Sequence, residues 1–197
     1  MKKIPTLCRR DPDDMRHVLP EVTPGCEWVL TGEGVARRKW DGTCVMLDAG
    51  GRWWNRREIR AGKSVPGDAI DLGEDPATGK HMVYVPNTPA GFQRFLNGAI
   101  ESHQGDLRPG TYELCGPKID TRAGRNPEGL SSYILVRHDE AEPTIIGPSP
   151  SYAGPLDVAM ISAAVKGLGA IGWEGVVWHH PDGRMAKLKV RDLSQED

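Results

Sequence analysis

Val35-Ala36-Arg37-Arg38-Lys39-Trp40-Asp41-Gly42-Thr43-Cys44-Val45-Met46-Leu47-Asp48 is the stretch that decides the fold. Apolar and β-branched residues on both sides of Asp41-Gly42 predict two strands, Val35 to Lys39 and Thr43 to Asp48, around a tight turn. Arg52 to Glu58 follows Gly50-Gly51 and predicts a third strand, so the region reads as a meander. Working outward, Glu27 to Leu30 reads as a short strand before it. Lys63 to Lys80, rich in Gly, Pro and Asp, reads as a loop, and His81 to Val85 as a strand.

Pro89 to His103 carries Phe92, Phe95, Leu96, Ala99 and Ile100 at helical spacing, with Thr88 as its expected N-cap. Thr111 to Cys115 and Tyr133 to His138 predict two strands separated by a polar loop. Pro148 to Pro155 reads as a linker and Leu156 to Leu168 as the second helix. The chain closes with a hairpin, Gly175 to His180 and Met185 to Val190, around Pro181-Asp182-Gly183. Strands outnumber helices without βαβ alternation, which predicts an α+β fold over a doubly wound sheet.

Composition narrows the function classes. The 197 residues carry 25 basic and 27 acidic side chains, a net charge of −2, which excludes coating of nucleic acid by bulk electrostatics. Any grip on nucleic acid needs a local patch. The length predicts a single domain over residues 1–197. No apolar run approaches the ~18 residues of a membrane span. The start, Met1-Lys2-Lys3-Ile4-Pro5, is not a signal peptide, so no membrane and a cytoplasmic location are expected. Cys8, Cys26, Cys44 and Cys115 lack C-x-x-C spacing and read as reduced thiols. His179 and His180 would point to opposite faces of a strand, a poor metal-ligand pair.

Five features carry potential chemistry, and each has a bland reading beside it. Lys39-Trp40-Asp41-Gly42-Thr43 sets a lysine beside a turn, where a solvated lysine is ordinary. Arg52-Trp53-Trp54-Asn55-Arg56-Arg57-Glu58-Ile59-Arg60, followed by Lys63, reads equally as a charged edge strand. Its adjacent Arg56 and Arg57 face opposite ways. Gly110-Thr111-Tyr112-Glu113-Leu114-Cys115-Gly116-Pro117 places one carboxylate in an apolar strand. Trp173-Glu174-Gly175-Val176-Val177-Trp178 opens an apolar strand with an acid. In Ala186-Lys187-Leu188-Lys189-Val190 the two lysines share a face, where both ammonium groups can meet one anion.

In this order the features resemble the covalent nucleotidyltransferase superfamily of ATP-dependent ligases and mRNA capping enzymes. K-W-D-G-T-C, N-R-R-E-I-R-x-G-K and Y-E-L-C-G-P are similar to the small 5′-to-3′ RNA ligases, including the vertebrate cytosolic one. The resemblance runs from about Val35 to Asp192. It implies a nucleotidyltransferase domain of packed, mostly antiparallel sheets with flanking helices. It also implies ATP-dependent joining of RNA 5′-phosphate and 3′-hydroxyl ends through a lysyl-AMP. By the same resemblance Lys39 is the nucleophile and Lys187 and Lys189 sit on the α-phosphate. Glu113 accepts from the ribose hydroxyls, and Arg56 or Arg57 contacts ribose or phosphate. Glu174 holds Mg²⁺ or Mn²⁺ through water. Asp41 orients the metal's waters or the ribose, Val177 contacts adenine, and Tyr133 is a weaker stacking candidate.

Three departures are visible. Cys44 stands where DNA ligases and capping enzymes usually carry an arginine. Arg38 precedes the nucleophile where an acidic or small residue is more usual. Only Arg191 to Asp197 follow the last lysine motif, so no OB-fold is expected, and no accessory RNA-binding domain. RNA would then be held by Arg37, Arg38, Arg52, Arg56, Arg57, Arg60 and Lys63. Trp53 or Trp54 is available for stacking, with core packing expected of at least one of them. The competing readings are a DNA ligase or guanylyltransferase of the same superfamily, and a non-catalytic nucleotide- or nucleic-acid-binding module.

Overall fold

The computed structural model describes residues 3–75, 78–88, 92–119, 126–147 and 154–193. Among the described residues, eleven strands follow in chain order: β1 (Cys8–Arg10), β2 (Val18–Val22), β3 (Val35–Lys39), β4 (Thr43–Leu47), β5 (Trp53–Ile59), β6 (Ile70–Asp75), β7 (Lys80–Pro86), β8 (Gly110–Cys115), β9 (Ile134–Arg137), β10 (Gly175–His179) and β11 (Met185–Lys189). The helices are α1 (Gln93–Ser102) and α2 (Val158–Ala170). All strand pairs within the sheets are antiparallel, so the fold is α+β with mostly antiparallel sheets, as expected. Among the described residues, no helix is long and apolar enough to cross a membrane.

The chain divides into two compact units, one of residues 1–3 and 41–138, the other of residues 4–40 and 139–197. The first unit holds a six-stranded sheet in the order β6-β7-β5-β4-β8-β9. Alternation sends Val45, Leu47, Tyr112, Leu114 and Leu135 to one face, where Leu96 and Ala99 of α1 close over them. The opposite face buries Cys44, Trp54 and Tyr84.

The second unit holds the ribbon β1-β2 and a three-stranded sheet in the order β11-β10-β3. Ala36, Val176, Trp178, Ala186 and Leu188 pack against Ile161 and Val165 of α2. The side chain of Asp157 caps α2, accepting from the Met160 N–H at 2.7 Å. Both outer strands of this sheet gain partners: the Leu7 N–H donates to Lys187 O at 2.7 Å, and the Arg38 N–H to Glu142 O at 2.8 Å. Those bonds occupy edge groups that would otherwise invite foreign strands.

Several expectations are corrected. β3 and β4 form, but they do not pair with each other; β3 pairs with β10, and β4 with β5 and β8. A two-residue turn of the expected kind needs positive φ at its centre, which Gly42 does not have. The glycine is required there for room instead, since a Cβ would lie 2.4 Å from Leu114 O. Glu27–Val29 is a 3₁₀ turn, not a strand. It is bracketed by Gly25 and Gly32, with φ of 87° and 77°, which leave too short a run for a ladder.

Lys63 to Lys80 is not wholly loop, because β6 lies within it as an edge strand beside β7. A bulge at Gly73 (φ 103°) and exposed acidic residues disguise it as a turn-rich segment. The helix expected from Pro89 starts at Gln93, and its N-cap is Phe92 rather than Thr88. Residues 89–91 and most of the expected linker, 148–153, lie outside the described residues.

Candidate active site

In the second unit, strand register gathers the lysines. Gly175 is the register partner of Lys39 on one side and of Lys189 on the other, and Val177 of Arg37 and Lys187. Residues in one such row share a face, so Lys39, Lys187, Lys189, Arg37 and Val177 all lie on the face away from α2. Only glycine fits between the lysines, because a Cβ on Gly175 would lie 2.2 Å from Leu188 O.

Glu174, one residue before that row, receives both ammonium groups. Lys39 Nζ donates to its Oε2 at 2.6 Å and Lys189 Nζ to its Oε1 at 2.5 Å. The carboxylate is 7% exposed and the two lysines 19% and 14%, so water screens these contacts little. Arg191 adds a third cation 3.9 Å from Oε1. Burial pushes the Glu174 pKa up, but the charges of Lys39 and Lys189 outweigh it and hold the carboxyl below its ordinary range. Lys189 shifts down: burial is the main cause and the like charge of Lys39 adds to it, against the pull of Glu174. Two lysines thus share one carboxylate.

In the first unit a second polar group forms on the sheet face opposite α1. Cys44 is the register partner of Glu113, and Tyr84 that of Arg56; the β4–β5 register carries Arg56 opposite Cys44. Arg56 is half-buried and Arg57 exposed, so the two arginines part as their alternation requires. Burial, with a smaller contribution from the Glu113 charge, pushes the Cys44 thiol up to about 11, which leaves it an inert packing group. Glu113 accepts from the Gly42 N–H at 3.1 Å, and its Oε2 lies 2.9 Å from His138 Nε2. The other ring nitrogen of His138 is 2.9 Å from Thr111 Oγ1. The Asp41 N–H donates to Glu128 Oε1 at 2.7 Å.

The proposed site residues therefore divide into Lys39, Glu174, Val177, Lys187 and Lys189 in the second unit and Asp41, Arg56, Arg57 and Glu113 in the first. Tyr133 stacks on Phe95, centroids 4.9 Å apart, and packs with the α1 core. Neither tryptophan of β5 is a free stacking surface. Trp54 is buried, with its Nε1 donating to Asp48 at 2.7 Å, and Trp53 lies against Tyr112 at 5.5 Å. Sequence reasoning missed His138 as a partner of Glu113. No local spacing announces it, since the contact depends on β8 and β9 pairing across 25 residues. All four cysteines are buried.

A divalent cation would find one candidate ligand in the lysine cluster, Glu174. A single carboxylate suits Mg²⁺, which keeps most of its water shell. Both carboxylate oxygens carry lysine contacts, so such an ion would have to compete with at least one ammonium group. No protein-family model matches the chain, and no curated protein matches it either.

Proposed function

We propose that the protein is an ATP-dependent RNA ligase working through a lysyl-AMP intermediate. The observation that supports the reading is the Lys39–Glu174–Lys189 cluster, in which the amines of β3 and β11 meet on one carboxylate at the start of β10. The neutral amine of Lys39 attacks the α-phosphorus of ATP, a P–N bond forms, and the bond to the departing pyrophosphate breaks. Lys39 must first shed a proton. That proton passes to water before the attack. Lys187 and Lys189 offset charge that gathers on the phosphates. Glu174 would hold Mg²⁺ or Mn²⁺, which supplies further charge neutralisation there.

AMP then passes from Lys39 to an RNA 5′-phosphate, exchanging the P–N bond for a phosphoanhydride. Attack by an RNA 3′-hydroxyl on that 5′-phosphate forms the phosphodiester and expels AMP. Val177 contacts adenine, and the ribose and phosphate roles of Glu113 and Arg56 rest on the motif resemblance alone. RNA as the substrate rests on the motif resemblance.

Incubation with α-labelled ATP and Mg²⁺ or Mn²⁺, then denaturing electrophoresis, tests this. A label from ATP, absent in Lys39→Ala, is expected, with joining of 5′-phosphorylated RNA. Label from GTP instead points to a guanylyltransferase, and joining indifferent to the 2′-hydroxyl to a DNA ligase. With no label and no adenylated mass in the purified protein, the binding-module reading replaces this one.

A further inference from the structure

The two residues flanking Lys39 in sequence are locked together on their own side of the strand. The Arg38 guanidinium lies 3.7 Å from the centre of the Trp40 ring and 5.4 Å from that of Trp173. Glu142 ties both neighbours down: Arg38 Nη1 donates to its Oε1 at 3.3 Å and Trp40 Nε1 to its Oε2 at 2.8 Å. The Glu142 carbonyl also accepts the Arg38 N–H at 2.8 Å. Trp173 is in turn anchored to the end of α2, its N–H donating to Leu168 O at 3.2 Å.

The sequence positions give this cluster its meaning. Trp40 follows Lys39 directly, and Trp173 precedes Glu174 directly. Arg38 therefore bridges the chain segment carrying the lysine and the one carrying its carboxylate partner, which are 135 residues apart. A planar guanidinium is suited to such a bridge because it stacks on rings and hydrogen-bonds a carboxylate at once.

We propose that Arg38 is a positioning residue which, through Trp40, Trp173 and Glu142, fixes Lys39 against Glu174. Its consequence for nucleotide transfer rests on the ligase reading; its consequence for Lys39 itself does not.

The test uses the full chain and two readouts. The first is labelling by α-labelled ATP as a function of ATP concentration. The second is the rate of Lys39 acetylation by acetic anhydride, followed by mass spectrometry and divided by that of Lys166, an exposed lysine of α2. Arg38→Met should slow labelling about tenfold with little change in the KM for ATP, because geometry rather than binding is lost. It should also raise the Lys39-to-Lys166 ratio severalfold as the amine leaves Glu174.

Glu142→Gln removes a partner that is 51% exposed, so it spares the fold and should move both readouts in the same direction. Arg94→Met, which removes an exposed arginine stacked 4.4 Å from the Phe95 ring, should move neither. A ratio unchanged or lowered in both Arg38→Met and Glu142→Gln overturns the proposal, whatever labelling does. Wild-type protein that ATP never labels removes the ligase reading and leaves the ratio to decide the role of Arg38.

Discussion

Lys39 and Lys189 stand on opposite flanks of Gly175, in one row across three strands, and meet on the two oxygens of Glu174. Backbone pairing rather than side-chain reach sets their spacing, so the row is sensitive to anything that parts β10 from β11.

Gly175→Ala is the direct probe of that row. The added methyl would collide with Leu188 O and lie 2.7 Å from the Lys189 Cα, both backbone atoms that cannot rotate aside. A loss of about 3 kcal/mol in stability is expected, the upper range of overpacking, read as a lowered denaturant midpoint. An unchanged midpoint would show that the strands tolerate separation there.

Glu174→Gln tests the electrostatics. The carboxylate's pKa is lowered on folding, so its stabilising contribution is present above the unfolded value of about 4.3 and is lost as pH falls through the folded value. Removing it leaves two half-buried ammonium groups facing a neutral amide. A destabilisation on the order of 2 kcal/mol is expected at pH 7, less than for a fully buried pair because the lysines can turn toward water. Thermal melts from pH 7 downward should show the gap between wild type and variant closing below about pH 4. A gap independent of pH would mean that packing, not charge, is responsible.

Arg56 and Arg57 should separate cleanly. Arg56 lies on the face with Cys44 and Glu113, whereas Arg57 is exposed. Under the ligase reading, Arg56→Ala is expected to lower ATP labelling about tenfold or more, the scale of one hydrogen bond to a charged group. Arg57→Ala should stay within about twofold, as surface substitutions usually do. Equal losses would remove Arg56 from the nucleotide contacts.

Arg10→Ala addresses the fold alone. Asp192 is buried, Arg10 Nη2 donates to its Oδ1 at 2.9 Å, and its Oδ2 has no hydrogen-bond partner among the described residues. Stripping the arginine from a buried carboxylate should cost about 3 kcal/mol. Replacing both, as Arg10→Met with Asp192→Asn, should recover part of that in chemical denaturation; no recovery would show that the arginine acts through packing.

The legible part of the molecule is what short-range pattern encodes. Lys187 and Lys189 were placed on one face by their spacing, and the closing hairpin formed with its turn at Pro181-Asp182-Gly183. Arg56 and Arg57 part as alternation demands. The illegible part depends on partners far away in the chain. Nothing near Asp41-Gly42 shows that β3 and β4 enter different sheets, because Gly42 answers to Leu114 and Glu113 rather than to a turn type. Strand β6 hid behind its acidic residues because an edge strand need not be apolar. His138 and Glu142 gained their contacts only through register and edge pairing.

The pairing of β3 with β10 has a consequence for biosynthesis. Val35–Lys39 leaves the ribosome long before Gly175–His179, and all of residues 41–138 can emerge in between. That intervening stretch supplies every strand and the helix of its own sheet, so it can fold while β3 still waits for a neighbour. The arginines and lysine of β3 keep the waiting strand from pairing with other nascent chains. Lys39 and Glu174 are consequently among the last residues to meet, and a chain stalled before residue 174 carries the lysine without its carboxylate.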